Sequence, residues 1–501
     1  MSTNAPDTNL SILELPTILT NLFERAQRPL LPEAHGPIGL FVRYLRRKPA
    51  RGLAVIYRVD ETQQSATQRA HVSNASRSVS LTLDEAALDG ARIRYSAAQA
   101  QEAIVEVQPS GVLRVQDLGI SVQAFPADDG LPGLAASCDT SEHGPLLAAL
   151  EAAARTLFGD PAWQLVSASA EPVRYKPANR CVVRYSLTLE RPDGAAPTRK
   201  NLTLFGKVYA DPEQAASVQA LQQQLYDEQL SLQGRTIAGQ TFHTPLLPRP
   251  LSTIKALGLT LTEAVQPTTP GEPMLTGGRA LEPQIVRGRG GEITKVVTPD
   301  EALRLTAVAL AHLHTSSVRP NEQTPRTGAK EAKRARERGS LIATRNPAQA
   351  EEVQRLAQQL ATRMEALQPD TYRPAHGGFK ASQLLFHSHQ VFVVDFDGFC
   401  LADAALDVGY FLAYLRPSGL WYHRSGMRQW FEAAKEVFIT TYRQAMLERD
   451  IAQSSIDGIL ERSRLYEAAL LFKIATRRVN RLNSPRSKEL SAMLSEIARC
   501  L

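Results

Sequence analysis

The sequence predicts an α+β protein in which a strand-rich first half is followed by a mainly helical second half. Apolar runs that alternate like β-strands recur between residues 38 and 266. From Pro299 onward apolar residues recur at helical spacing, apart from a hairpin pattern at residues 383–394. The expected domains are an N-terminal α/β unit at residues 1–150, a β-rich lobe at residues 151–270 and a mostly helical lobe at residues 271–501.

The composition is that of an ordinary globular protein, with 43% hydrophobic and 22% charged residues in a chain of 501. The four cysteines have no paired spacing, which favours a reducing compartment over a disulfide or zinc framework. No apolar run approaches the ~18 residues of a membrane span, and the first residues lack a signal-peptide pattern. We therefore expect a cytoplasmic protein without a membrane partner.

The net charge of +6, from 57 basic and 51 acidic residues, is a mild bias for so long a chain. It does not indicate nucleic-acid binding, but it is compatible with anionic ligands.

The N-terminal unit begins with an amphipathic helix, predicted from Ile12 to Ala26, and continues with strands around a basic turn at residues 46–52. Residues 173–190 repeat the order of that turn: Lys-Pro-Ala, a basic residue, then an apolar strand. An internal duplication of a strand-rich unit would explain this echo. Chance similarity between two basic hairpins would explain it equally well.

The second strand-rich unit combines a hairpin at residues 173–190 with a strand at residues 202–209. Asp211 and Pro212 then predict the start of a helix, because Asp is a favoured N-cap and Pro suits the first helical position. Further strands are predicted within residues 242–266.

The stretch most informative about function reads HGGFKASQLLFHSHQVFVVDFDGFCLADAALDVGY and covers residues 376–410. A glycine-containing loop precedes two short apolar strands that are joined by a polar turn. The second strand runs directly into the acidic pair Asp395 and Asp397. This pattern is typical of a β-hairpin with a functional loop at one end and an acidic pair at the other.

The stretch resembles the core of the kinase-like phosphotransferases, which include aminoglycoside phosphotransferases, choline kinases and maltokinase-like sugar kinases. These proteins carry a loop of the form H-G-D-x-x-x-x-N before a hairpin that ends in D-F-D or a related motif. The positions that fall on the two motifs are His376, Gly377, Gly378, Lys380, Gln383, Asp395, Phe396 and Asp397. The resemblance implies a bilobal protein-kinase-like fold, ATP as phosphate donor and Mg²⁺ as cofactor.

Two positions depart from the family pattern. Gly378 replaces the aspartate that orients or deprotonates the acceptor hydroxyl, and Gln383 replaces the metal-binding asparagine with the same carbonyl group on a longer arm. The resemblance implies that Asp395 and Gln383 hold Mg²⁺. It also implies that Lys380 supplies positive charge to the transferred phosphate, and it makes Asp397 a candidate second metal ligand or replacement base.

The same resemblance places the nucleotide on the second strand-rich unit. Lys207 lies on the strand that carries the phosphate-binding lysine, and Arg180 lies at the tip of the nucleotide-covering hairpin. Glu213 and Gln219 are the candidates for the partner of Lys207. The predicted hinge residues, whose backbone groups would meet the adenine, are Glu263, Ala264 and Val265.

The helical half contains acidic residues that are expected to stabilise the loop of the predicted site. Asp403 and Asp407 are expected to cap a helix and brace the loop. His312 and His314 lie two residues apart on a helix, so they face different sides and do not share a metal. The basic residues within 319–348 predict a solvated helix or loop, with phosphate or partner binding as the alternative.

The segment that follows the last acidic motif bears on the acceptor, because the corresponding pocket of aminoglycoside-binding relatives is acidic. Here it is aromatic and basic, with Trp421, Tyr422, His423, Arg424, Arg428 and Trp430. Charge complementarity disfavours a polycationic aminoglycoside and favours a neutral or anionic, sugar-like acceptor.

Two functions from different classes fit these residues. The first is an ATP- and Mg²⁺-dependent phosphotransferase acting on a hydroxyl of a small metabolite, with catalysis weakened or altered by Gly378. The second is a pseudokinase that acts through a protein partner, or through a homodimer formed by the N-terminal unit. Transfer of the adenylyl group instead of phosphate is a third, minor alternative.

Overall fold

The computed structural model of the protein divides into two compact units. The first comprises residues 1–216, 251–263 and 480–483, and the second comprises the rest of the chain. The residues described are 15–27, 37–48, 52–61, 76–83, 104–115, 119–141, 144–192, 197–265, 274–288, 290–322, 324–387, 389–416, 426–480 and 489–501. Strands predominate in the first unit and helices in the second, so the predicted α+β class is confirmed. The predicted boundaries near residues 150 and 270 remain predictions.

The N-terminal sheet of the first unit is antiparallel, with the strand order β1-β2-β3-β6-β5-β4. Its strands are β1 (Ile38–Lys48), β2 (Gly52–Glu61), β3 (Ser78–Leu83), β4 (Glu106–Val107), β5 (Leu113–Val115) and β6 (Ile120–Ala124). Helix α1 (Leu15–Arg25) buries Leu22 and Phe23 against this sheet. The predicted helix start at Ile12 and the centre of the basic turn, residues 49–51, lie outside the described residues.

The second sheet of the first unit has the order β12-β13-β9-β8-β7 and a separate core. Its strands are β7 (Gln164–Lys176), β8 (Arg180–Arg191), β9 (Thr198–Tyr209), β12 (Pro250–Ile254) and β13 (Leu259–Glu263). Helices α2 (Leu134–Cys138) and α3 (Pro145–Phe158) contribute Leu134 and Leu150 to its core. The predicted hairpin and the strand after it are confirmed, and all three strands extend beyond the predicted ranges.

Helix α4 (Pro212–Leu230) begins as the sequence predicts. The Asp211 carboxylate accepts a hydrogen bond of 2.9 Å from the backbone N–H of Glu213, so it satisfies one of the free amide groups at the helix start. A short hairpin follows, formed by β10 (Thr236–Ile237) and β11 (Gln240–Thr241).

Helices form most of the second unit and its core. They are α5 (Gly277–Ala280), α6 (Asp300–His314), α7 (Gly328–Arg345), α8 (Ala350–Glu365), α9 (Ala405–Leu415), α10 (Met427–Leu447), α11 (Gln453–Val479) and α12 (Leu490–Cys500). The strands are β14 (Leu275–Thr276), β15 (Gln284–Arg287), β16 (Ile293–Val297), β17 (Arg373–Ala375), β18 (Leu384–His387), β19 (Gln390–Val393) and β20 (Cys400–Ala402). Strands β18 and β19 form the predicted hairpin, and β17 pairs with β20 in a separate two-stranded sheet.

The two histidines of α6 have separate partners, as predicted. His312 Nδ1 lies 3.1 Å from the Arg449 guanidinium, and His314 Nδ1 lies 2.8 Å from the Tyr442 hydroxyl. Burial beside Arg449 lowers the pKa of His312 to about 4.

The basic segment at residues 319–348 is not uniformly solvated, and that prediction is wrong in part. The side chains of Arg326 and Arg338 are only 17% and 14% exposed. Both surround the fully buried carboxylate of Glu331, which offsets the cost of taking the guanidinium groups out of water. Across the described parts of the chain, no helix combines the length and apolar character that crossing a membrane requires.

Candidate functional site

The loop from His376 to Gln383 connects β17 to β18, and its backbone is hydrogen-bonded to Asp407. One carboxylate oxygen of Asp407 accepts the backbone N–H of His376 at 2.5 Å, and the other accepts that of Phe379 at 3.4 Å. Burial alone would raise the pKa of Asp407, but hydrogen bonding from His314 and the nearby His376 keep the pKa below its usual value. The predicted bracing role is therefore confirmed.

The loop needs glycine at one position and not at the next. Gly377 has φ of +74°, and a Cβ there would lie 2.0 Å from the carbonyl oxygen of Gly398. At Gly378 the nearest atom to an added Cβ is the side-chain nitrogen of Gln383, 3.9 Å away. The missing aspartate is thus not excluded by backbone conformation or by space.

Gln383 and Asp395 lie together, as the metal prediction requires. The Gln383 amide donates a hydrogen bond of 3.2 Å to Asp395, which follows β19 in the left-handed conformation at φ of +73°. The Gln383 side chain is 6% exposed, and its carbonyl oxygen has no hydrogen-bond partner among the described residues. A buried orphan oxygen beside a carboxylate fits Mg²⁺, a cation that takes one or two protein oxygens and completes its shell with phosphates and water.

The two weaker site predictions lie on either side of this pair in sequence. Asp397 is half-buried in the turn Phe396–Gly398. Lys380 is half-buried, and its ammonium lies 5.5 Å from the ring centre of Tyr414 on α9. Within the described residues no group of three His, Cys, Asp or Glu side chains could hold a metal, so the candidate ligands remain Asp395 and Gln383.

The predicted nucleotide residues of the first unit lie on its second sheet. Lys207 is on the central strand β9, with its ammonium 5.1 Å from the ring centre of Tyr209. Arg180 begins β8 and pairs with Tyr209 across the ladder. The predicted hinge residues are Glu263, Ala264 and Val265. Glu263 is the last residue of β13, and the chain enters the second unit at Ala264.

Neither candidate partner of Lys207 is established. Glu213 is exposed and binds the ammonium of Lys255 at 3.2 Å. Gln219 is buried further along α4. The contacts of Glu213 therefore do not support an ion pair between Lys207 and a carboxylate of α4.

A scan against protein-family models matches residues 279–445 to the family described as the phosphotransferase enzyme family. The predicted resemblance is confirmed, and it covers the loop, the hairpin and both acidic motifs. No curated protein matches the chain.

Solved structures that are similar to this chain include kinases of three kinds. A glucosamine kinase in complex with glucosamine, ADP and inorganic phosphate is 18% identical, with 93% of this chain and 94% of that chain covered and a TM-score of 0.40. A choline/ethanolamine kinase family protein from Mesorhizobium loti is 13% identical, with coverages of 63% and 83% and a TM-score of 0.34. An amicoumacin kinase is 13% identical, with coverages of 66% and 88% and a TM-score of 0.37.

The aromatic and basic segment is only partly described. Trp421, Tyr422, His423 and Arg424 lie outside the described residues. Trp430 is fully buried and donates a hydrogen bond of 3.1 Å to the backbone of Val297, so it belongs to the core of the second unit. Arg428 pairs with Glu496. Neither residue supports the prediction about the acceptor.

One residue that fixes the predicted nucleotide-covering hairpin was not predicted. Asp128 is 2% exposed, and its carboxylate accepts hydrogen bonds from the Tyr175 hydroxyl at 2.7 Å and the Ala178 N–H at 2.8 Å. Its other oxygen accepts the N–H of Gly130 at 2.8 Å. Asp128 thereby holds the hairpin tip, where Ala178 has φ of +53°. An Asp two residues before a glycine signals the local turn, but not the contact with the hairpin.

Proposed function

We propose that this protein is an ATP- and Mg²⁺-dependent phosphotransferase that acts on a hydroxyl of a small neutral or anionic, sugar-like metabolite. The family match of residues 279–445 supports the reaction class. The observation that carries the metal and nucleotide part is the buried, unpartnered carbonyl oxygen of Gln383 beside Asp395. A cytoplasmic location, without nucleic-acid or membrane partners, is part of the proposal.

Each predicted residue has a role in this function. Asp395 and Gln383 would hold Mg²⁺, which neutralises phosphate charge when bound. Lys207 and Arg180 would contact the phosphates of ATP. The backbone at Glu263, Ala264 and Val265 would meet the adenine.

The proposed site lacks the usual group that accepts the proton of the acceptor hydroxyl, because Gly378 has no side chain. Phosphoryl transfer depends mainly on positioning and charge neutralisation, so reaction without a base is slowed rather than abolished. A positioned base contributes about 10²–10⁴-fold. Lys380 would contribute positive charge near the transferred phosphate, and Asp397 is the candidate replacement base.

Mg·ATP binding tests the proposal, measured by calorimetry on the wild type and on Asp395→Ala. We expect binding to the wild type that requires Mg²⁺ and weakens by about 100-fold or more in the variant. Asp227→Ala, which removes an exposed carboxylate of α4, is the control and is expected to bind like the wild type. A wild type that does not bind Mg·ATP would refute the proposal.

The pseudokinase is the second candidate function, favoured by Gly378 alone. In that case the fold would act as a scaffold for a protein partner, or as a homodimer formed through residues 1–150. Binding of Mg·ATP does not separate the two functions, but restoration of the base does, as argued in the Discussion.

A further inference from the structure

Beside the loop 376–383 lies a group of cationic side chains contributed by separate segments of the second unit. We call it the basic cluster. Its members are Arg326, Arg334 and Arg338 from α7 and the segment before it, Lys380 from the loop, and Lys473 and Arg477 from α11. On both helices the cationic residues are four apart, a spacing that places them on one face.

The cluster is bonded directly to the catalytic loop through Arg326. Its guanidinium donates to the carbonyl oxygen of Gly377 at 2.9 Å and to the hydroxyl of Tyr410 at 2.8 Å. It also donates to Glu331 at 2.8 Å. A ligand held by the cluster would therefore lie next to the loop that positions the acceptor hydroxyl in this family.

Two tyrosines one turn apart on α9, Tyr410 and Tyr414, contact cations of the cluster. The Lys473 ammonium lies 5.4 Å from the ring centre of Tyr410. The Tyr414 hydroxyl accepts a hydrogen bond of 3.2 Å from Arg477, and its ring lies 5.5 Å from the Lys380 ammonium. The cations of α11 and of the loop thus meet over the same pair of rings.

The charge of Lys473 is not balanced by the described part of this cluster. Glu331 is its buried carboxylate, and it is engaged by Arg326 and Arg334, with Arg338 4.0 Å away. Among the described residues no carboxylate lies within 4.0 Å of Lys473. Burial, with the neighbouring guanidinium groups of Arg477, Arg338 and Arg326, lowers the pKa of Lys473 to about 7, and Glu331 offsets this only in part. Such an arrangement is unfavourable unless a ligand supplies negative charge.

We propose that the basic cluster binds an anionic group of the acceptor, a carboxylate or a phosphate ester, chiefly through Lys473 and Arg477. Lys380 is the member of the cluster that lies on the loop itself. This inference rests on the proposed function, since it names the class of acceptor. A neutral sugar or an amino sugar would bring no counter-charge to Lys473.

Matched sugars test this proposal by calorimetry, with glucose as the neutral probe and gluconate and glucose 6-phosphate as the anionic probes. We expect an anionic probe to bind the wild type about tenfold or more tightly than glucose does. Lys473→Met and the double variant with Arg477→Gln should lose that preference. Lys333→Met, which removes an exposed lysine of α7, should keep it. Failure of both anionic probes to bind the wild type, or a preference that survives in the double variant, would overturn the proposal.

Nucleotide phosphate is the other source of negative charge, and Mg·ATP binding by the same variants separates it from the acceptor. An acceptor site predicts Mg·ATP affinity within about twofold of wild type in Lys473→Met. If Mg·ATP affinity falls together with that of the anionic sugars, the cluster is a nucleotide site and the inference is wrong. Anionic sugar binding in a protein that does not bind Mg·ATP would refute the proposed function and leave the cluster assignment intact.

The pH dependence of gluconate binding is a second readout, because gluconate keeps one charge through the neutral range. Lys473 must be protonated to bind it, so affinity should fall as the pH rises through about 7. The groups that face Lys473 are Arg326, Arg338, Arg477, Glu331 and Tyr410. Lys473→Met should remove this dependence, and a pH profile unchanged in that variant would contradict the assignment.

Discussion

The Gly378→Asp variant is expected to transfer phosphate about 10²–10⁴-fold faster than the wild type. The substitution restores a carboxylate at the family position that orients or deprotonates the acceptor hydroxyl. Gln383 already lies beside Asp395, and Asp407 already braces the loop. The gain should therefore appear in the chemical step and not in Mg·ATP affinity.

The local geometry makes this a fair test of the base. Position 378 has no left-handed backbone conformation, and an added Cβ meets nothing closer than 3.9 Å. Gly377→Ala is the contrasting substitution, because its Cβ would approach the Gly398 carbonyl to 2.0 Å at φ of +74°. That variant should lose stability and nucleotide binding together.

Single-turnover conversion of ATP to ADP, with an anionic sugar as acceptor and with water alone, measures the gain. Gly378→Asn is the matched control, since it has the size of aspartate without a basic carboxylate. It should remain at the wild-type rate. If Gly378→Asp binds Mg·ATP but turns over no faster than Gly378→Asn, the pseudokinase is the better description of the protein.

The parts of the site that the sequence predicts are those set by short-range patterns. Two short apolar runs joined by a polar turn predict the β18–β19 hairpin, and Asp211 before Pro212 predicts the start of α4. The loop and both acidic motifs depend on fixed spacing over a few tens of residues. Residues so close in sequence are kept close in space by the chain itself, so the spacing of such a motif predicts which of its residues lie together.

The supporting contacts could not be predicted in this way, because they join residues far apart in sequence. Asp128 holds Ala178 across 50 positions, and Arg326 holds the carbonyl of Gly377 across 51. Residue type also misled where burial decides the role. Trp430 belongs to the core despite its place in an aromatic and basic segment. Lys473, in a long helix without evident pattern, contacts the ring of Tyr410.

Glu331→Gln is expected to lower the free energy of unfolding by about 3–5 kcal/mol. The carboxylate is fully buried and is the counter-charge of Arg326 and Arg334. Removing its charge leaves those guanidinium groups unpaired beside Arg338. Denaturant unfolding followed by circular dichroism measures the loss, with Glu365→Gln as the control. Glu365 pairs with Arg336 on the surface, where water screens the charges, so that variant should differ little from the wild type.

The pH dependence of this loss follows from Glu331 itself. Burial alone would raise its pKa, but the charges of Arg326 and Arg334 keep the pKa below the usual glutamate value. A carboxyl with a lowered folded-state pKa stabilises the protein above its unfolded pKa and loses that contribution as the pH falls through the folded value. The difference in the free energy of unfolding between the wild type and Glu331→Gln should therefore be largest at neutral pH and should decrease in acid. A gap that does not change with pH would mean that lost packing, and not lost charge, destabilises the variant.

Lys473→Met should act in the opposite direction, because it removes a half-buried cation that has no carboxylate partner among the described residues. The folded-state pKa of Lys473, about 7, lies below that of an unfolded lysine, so its protonation costs stability. The gain from the substitution should be greatest at pH 7 and below, and should decline between pH ~7 and the ordinary lysine pKa of ~10.4. In the double variant Lys473→Met should recover part of the stability that Glu331→Gln loses. Strict additivity of the two effects would mean that the cations and the carboxylate do not share one electrostatic network, and the basic cluster would then not be a single site.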